Sequence, residues 1–311
     1  MSPGWAGSKR GTGAGRLTAK GVHVRVLSIT TGADPAGISG SLVQAFRDTD
    51  ITLRSAVRLT SWLDYPHDLP WSAVEKHYRN ADVVHLHQSM RAWRKFGSKP
   101  FVLHHHGTKY RNHHEAFNAA VAENGGVAVV STLDLLDYGD NLTWCPTPVN
   151  IPHLETYRAP VNADRLRIGH APTNRSIKDT DAFLAACARL NVEPVLIERK
   201  KWRDCLAIKG TVDIYYDQVQ LGYGSNAIEA WAMGIPVIAG ASEATMRTYR
   251  DTFARIPFVQ AAAGTIADAI RTLMDPDTRE EWAVRGKNHA HRWHSGAETV
   301  TRLTAIYRGL V

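Results

Sequence analysis

Asp213-Ile-Tyr-Tyr-Asp-Gln-Val-Gln-Leu-Gly-Tyr-Gly-Ser-Asn-Ala-Ile-Glu-Ala-Trp-Ala-Met-Gly-Ile-Pro-Val-Ile-Ala-Gly240 reads as strand, turn, helix, turn and strand. Asp213 to Tyr216 is a short β-prone run. Gly222 and Gly224 allow a tight turn that brings backbone close to a ligand. From Ser225 to Met233 the apolar residues Ala227, Ile228, Trp231 and Ala232 recur at helical spacing. Gly234 ends that helix, and Pro236 opens a buried strand without needing an amide hydrogen. The unit is β-α-β. Its helix N-terminus faces the carboxyl edge of a parallel sheet, a place that binds anions and typically phosphate.

Glu229 lies one turn into this helix, where a carboxylate can accept bonds from the adjacent hydroxyls of a sugar. The run Gly222-Tyr-Gly-Ser-Asn-Ala-Ile-Glu-Ala-Trp-Ala-Met-Gly-Ile-Pro-Val-Ile resembles the donor-binding signature of the large retaining, family-4-like group of glycosyltransferases with the GT-B fold. The resemblance implies that Glu229 contacts the nucleotide ribose, and that Gly222, Tyr223, Gly224 and Ser225 border the donor. That group usually carries a second glutamate eight positions earlier, on the donor sugar; here the residue is Leu221, with Asp217 and Gln218 just upstream as substitute polar contacts.

The 311 residues suffice for two domains with separate cores. No apolar run approaches the ~20 residues of a membrane span. Three widely spaced cysteines, Cys145, Cys187 and Cys205, suggest neither a disulfide framework nor a zinc site, so a reducing cytoplasm is the expected setting. The formal charge is +7, but Lys9, Arg10, Arg16 and Lys20 supply four of those charges within residues 1–20. That Gly/Ser/Thr-rich tail reads as a disordered extension, and only three net charges remain for the other residues. The distribution disfavours a nucleic-acid surface without excluding one.

Val22 to Thr30 alternates as a first strand. The loop after it carries Gly37 and Gly40, placed where a doubly wound domain meets its ligand, and a helix is expected from about Ser41 to Arg47. Strands ending in His85-Leu-His87 and His104-His-His106-Gly follow. Strand periodicity sets His85 with His87 and His104 with His106 on single faces, and consecutive strand histidines are not expected all to point inward. No carboxylate or cysteine completes a metal spacing, so no metal site is assigned. The resemblance implies instead that His106, the histidine before the glycine, contacts the donor sugar, with His105 as the alternative register. Pro146, Pro148, Pro152 and Pro160 mark a linker.

Leu166 to His170 restarts the pattern. Arg175 and Lys178 sit in the next turn, where a bidentate arginine and a lysine point charge can neutralise a diphosphate, as they do in the resembled enzymes. Asp179 replaces the usual glycine and is expected to cap the following helix. The pairs Asp48/Asp50 and Asp179/Asp181 read as structural rather than metal-binding. The expectation is therefore an α/β GT-B protein. Residues 21–155 would form an N-terminal Rossmann-like acceptor domain and 162–290 a C-terminal nucleotide-sugar domain. A closing helix at about 293–311 would return to the first.

The implied activity is transfer of a hexose from a UDP- or GDP-sugar to a glycan, protein or lipid, with retention and with no cofactor or metal. A DNA-modifying glycosyltransferase, and a non-catalytic or epimerase-like GT-B protein, are the alternatives.

Overall fold

The computed structural model describes residues 23–160 and 164–311; the basic segment 1–20 lies outside them. The chain is organised by two sheets. The first is built, in chain order, from β1 (Val24–Ala33), α1 (Ile38–Ala45), β2 (Ile51–Leu59), α2 (Val74–Asn80), β3 (Val83–His87), α3 (Arg91–Phe96), β4 (Phe101–His105), α4 (Thr108–Glu123), β5 (Val127–Val130) and β6 (Leu142–Trp144). After α5 (Ile151–Glu155) come β7 (Arg167–His170), α6 (Thr180–Leu190), β8 (Glu193–Leu196), α7 (Trp202–Lys209), β9 (Ile214–Tyr216), β10 (Leu221–Gly222) and α8 (Ser225–Ala232). Then follow β11 (Val237–Ala241), α9 (Glu243–Thr252), β12 (Val259–Gln260), α10 (Ile266–Met274), α11 (Pro276–His289) and α12 (Ala297–Gly309).

The first sheet has the order β2-β1-β3-β4-β5-β6, with every neighbour parallel. The second runs β10-β11-β9-β7-β8, with β12 on β11, and only β10 is antiparallel. Parallel strands need crossovers, and the crossover helices cover both faces. That is why His104 and His105 are both fully buried, against the expectation that neighbouring strand histidines cannot all lie inside. They point to opposite faces, and both faces are covered.

In each sheet the chain order reverses once, between β1 and β3 and between β7 and β9. Outside the carboxyl ends of such strand pairs a crevice opens, and ligands of open α/β sheets bind there.

Asp275 starts α11 by accepting from the Thr278 amide at 2.8 Å. A short π-helical turn at Ala290–His294 redirects the chain into α12. Leu303 and Tyr307 of α12 are buried with Val24, Val26, Phe46 and Val102 against the first sheet. The Tyr307 hydroxyl meets His85 Nδ1 at 2.7 Å, and Thr299 Oγ1 donates to the Pro146 carbonyl at 2.6 Å. No helix among the described residues is long and apolar enough to cross a membrane.

This packing makes a direct prediction. Leu303→Ala should lower unfolding free energy by about 2–5 kcal/mol, the cost of a core leucine truncation. Val284→Ala, at an exposed position, should change it by less than about 0.5 kcal/mol. Urea unfolding followed by circular dichroism reads both, and equal effects would show that α12 is not part of the core.

Candidate functional site

Between the carboxyl edges of the two sheets lies a cavity of about 360 Å³, lined among others by Gly37, Gly40, Tyr65, Trp202, Ser225 and Glu229. Glu229 is fixed there from behind. Its Oε1 accepts from the Trp202 indole nitrogen at 2.8 Å, and its Oε2 pairs with Lys209, whose side chain is fully buried. The Lys209 ammonium also donates to Asn226 Oδ1 at 2.9 Å. A buried ion pair holds only when such extra bonds offset its desolvation. Each carboxylate oxygen keeps a further lone pair for a ligand. Sequence reading missed Trp202, Lys209 and Asn226; the one available signal was that Trp202 and Lys209, seven apart, share a helix face.

Gly37 and Gly40 line this cavity, but their lack of a side chain serves a neighbour rather than a ligand. A Cβ on Gly37, whose φ is +71°, would lie 2.7 Å from the Tyr65 ring, and one on Gly40 would lie 2.9 Å from the Pro66 carbonyl oxygen. The segment 63–66 also bridges to the second half. The Trp202 amide donates to the Leu63 carbonyl at 2.8 Å, Lys201 pairs with Asp64 at 3.0 Å, and the Tyr65 and Trp202 rings lie 5.6 Å apart.

At the β7/β9 crevice, Lys178 Nζ meets Asp217 Oδ1 at 2.6 Å. Asp217 Oδ2 accepts the Gly224 amide at 2.7 Å, so the first amide of the α8 terminus is not free. Those of Ser225 and Asn226 have no intrahelical acceptor by helix geometry. Arg175 is held in a two-pronged pair with Glu198, Nε to Oε1 at 2.8 Å and the second prong at 2.6 Å. Arg175 and Lys178 thus stand beside the crevice with their charges engaged, and neither lines the cleft cavity.

Asp179 occupies the α6 N-cap position with φ 48° and makes no capping bond; its carboxylate takes the Gln220 side-chain amide at 2.8 Å. The left-handed backbone is why a glycine would suit this position.

Three residues expected at the donor are engaged within the fold. Tyr223 is a core residue, its hydroxyl 3.1 Å from both His289 and His294. Gly222, at φ +81°, makes room for Tyr249, whose hydroxyl lies 2.1 Å from where a Cβ would sit. Gln218 is buried; its backbone carbonyl takes the Gly240 amide at 2.8 Å, and its side-chain Oε1 is left unpartnered.

His106 is also engaged. Its Nδ1 lies 2.8 Å from Ser131 Oγ, and its Nε2 lies 2.9 Å from His87 Nδ1. Ser131 Oγ donates to the His105 carbonyl, which can only accept. Ser131 therefore accepts from His106 Nδ1–H, His106 Nε2 accepts from His87 Nδ1–H, and His87 Nε2 accepts from Ser28 Oγ at 2.9 Å. The tautomers follow from that one carbonyl. Neither ring nitrogen of His106 is left for a sugar, and His105 stacks on Tyr110 on the opposite face, centroids 4.0 Å apart.

His85, His87 and His104 bring one nitrogen each within 4.8 Å of the others, the arrangement among the described residues that could hold a metal. His85 Nε2 and His104 Nδ1 already pair at 3.0 Å, which leaves His104 Nε2 as the unpartnered atom of the group.

No protein-family model matches the chain, and no curated protein matches it. Solved structures do. HepE from Anabaena in complex with UDP-glucose superposes with a TM-score of 0.67 at 12% identity, covering 93% of this chain and 100% of that one. A glycosyltransferase from Rickettsia africae gives 0.63 at 13% identity, with 93% and 99% covered. The fold is GT-B. Epimerases share it: a UDP-N-acetylglucosamine 2-epimerase gives 0.51 at 13% identity, with 92% and 96% covered. In GT-B terms the cavity at Glu229 lies in the cleft between two Rossmann-like units.

The buried histidines set the acid stability. Burial pushes His87 and His105 down to about 3 and His170 and His294 down to about 4, and it holds His85, His104, His106 and His289 well below the ordinary value. Below pH ~6.5 the unfolded chain takes up protons on these rings and the folded chain does not, so stability falls as pH falls. Each ring contributes at most about 1.4 kcal/mol per pH unit. Burial raises Asp34 to about 6, which acts in the opposite sense between the carboxylate range and pH 6, but it is one group against eight. Melting temperature should therefore drop steeply between pH 7 and pH 5. A flat profile by scanning calorimetry across that range would contradict the neutral histidine core.

Proposed function

We propose that the protein is a glycosyltransferase that binds a UDP-sugar in the cleft and passes the sugar to a glycan, protein or lipid acceptor with retention. The single observation carrying this reading is the cleft cavity, where Glu229 and the Ser225 terminus of α8 face the β1–α1 loop of the other unit. Glu229 would accept from the ribose hydroxyls. The diphosphate would lie along the Ser225 and Asn226 amides, with Lys178 and Arg175 beside it.

The chemistry requires a nucleoside diphosphate to leave the anomeric carbon. Fixed donors meet the growing negative charge without reorganising, so these two cations and the helix terminus would serve in place of a metal. Binding needs one rearrangement: Arg175 must exchange Glu198 for phosphate. UDP complexes of the similar HepE structures support uridine as the base.

The exchange gives the test. Titration calorimetry with UDP should show binding that Arg175→Gln weakens about tenfold, one charge-assisted contact. Glu198→Gln, which frees the guanidinium, should tighten it. Absence of UDP and GDP binding, or an unchanged affinity in Arg175→Gln, would defeat the proposed donor site. Conversion of UDP-N-acetylglucosamine to its 2-epimer without acceptor would replace the transferase reading with the epimerase one.

A further inference from the structure

A second cavity, about 370 Å³, opens at the β1/β3 crevice of the first sheet and has no part in donor binding as described above. Thr30, Gly32, His87, Gln88, Arg91 and Lys109 contribute to its lining. Pro35 borders this cavity while Ala36 and Gly37 border the donor cleft, so a single turn of chain separates the two.

The charge of the cavity is one-sided. Arg91 and Lys109 line it, no carboxylate does, and no ion pair reaches either cation among the described residues. Asp34, the nearest acid along the chain, is buried and does not line the cavity; its Oδ1 accepts from the Ser39 amide at 3.2 Å and from the Ser39 hydroxyl at 3.1 Å. His87 in the lining is neutral and spends both nitrogens on Ser28 and His106.

Lys109 is held in position. Its Nζ donates to the Gln88 carbonyl at 2.6 Å, and Gln88 presents that carbonyl from a left-handed backbone, φ 52°. Such a conformation in a non-glycine residue is uncommon and concentrates at ligand sites. The bond uses one of three ammonium protons and leaves two. Burial first, and then the field of Arg91, pushes the Lys109 pKa down. Two like charges therefore face one opening with nothing negative between them.

We propose that this cavity binds a compact oxyanion, a phosphate or carboxylate carried by the acceptor, between Arg91 and Lys109. The word acceptor rests on the glycosyltransferase reading; the anion site rests on the cavity. The arginine supplies a planar fork and the lysine a point charge. With the anion fixed here, the rest of the acceptor extends over the Pro35–Gly37 turn towards the donor cleft.

The test titrates the full chain, with UDP in excess to fill the cleft, with inorganic phosphate and separately with glucuronate at constant ionic strength. One oxyanion at least should bind with a single site, and Arg91→Gln and Lys109→Gln should each weaken it about tenfold. Arg189→Gln, at an exposed position of α6 away from both cavities, should leave it unchanged. Preference for phosphate assigns a phosphorylated acceptor, and preference for glucuronate an acidic sugar.

Absence of binding by both anions, or affinity indifferent to both cavity substitutions, overturns the proposal. If UDP itself fails to bind while phosphate still depends on Arg91 and Lys109, the donor reading falls and the anion site stands. The converse pattern sinks the anion site alone. Both substitutions are at exposed positions, so a melting curve suffices to show that each variant is folded.

Discussion

Asp217 is the constraint on which the second half of the molecule depends. Its side chain is 1% exposed at the end of β9, and it accepts from both Lys178 and the Gly224 amide. An isolated carboxylate at that depth would cost several kcal/mol, so its partners are obligatory. One carboxylate thereby fixes the end of a strand, the loop after β7 and the first turn of α8. It also occupies part of a helix terminus that attracts anions. A phosphate arriving there shares the terminus with a resident negative charge. The ligand therefore needs cations as well as amides, and Lys178 and Arg175 are the cations within the neighbouring loop.

The same economy recurs across the cleft. Glu229 is held by Lys209 and Trp202, Arg175 by Glu198, and His106 by His87 and Ser131. Pre-engaged side chains lose little entropy when a ligand arrives, because their rotamers are already restricted. The difference lies in what is left over. Glu229 keeps lone pairs, and Arg175 can exchange one anion for another. His106 has no nitrogen to spare, and it serves the sheet. Arg91 and Lys109 are unlike all three, since no ion pair reaches either among the described residues and no carboxylate lines their cavity.

Much of this architecture was legible before the coordinates. The unit from Ile214 to Ala241 follows from turn glycines, a helical apolar period and one proline, each a local signal. Four elements escaped: β2, α3, α5 inside the proline-marked linker, and β10 inside the expected turn. In β2 the residues Ile51, Leu53 and Ser55 face inward and Thr52 outward, an alternation that was present but sat between stronger landmarks. α3 is six residues long, too short for periodicity to speak.

The site was harder to read. Glu229 meets Lys209 and Trp202 across twenty or more positions, and spacing carries no trace of that pairing. Tyr223, flanked by glycines, looks like a ligand contact, yet its ring belongs to the core; only tertiary packing separates those outcomes.

The β1–α1 loop decides how donor and acceptor could meet. Gly37, at φ +71°, is bare because the Tyr65 ring lies against it, and Gly40 is bare because the Pro66 carbonyl does. The segment carrying Tyr65 and Pro66 is in turn tied to α7 through the Leu63 carbonyl and Asp64. The turn at Pro35–Gly37 is thus clamped from the second unit, and it is the wall between the two cavities. Alignment of a bound acceptor with a bound donor is then a property of one short loop and its glycines, rather than of the sheets on either side, and misplacing reacting groups by an ångström there would cost about a hundredfold in rate.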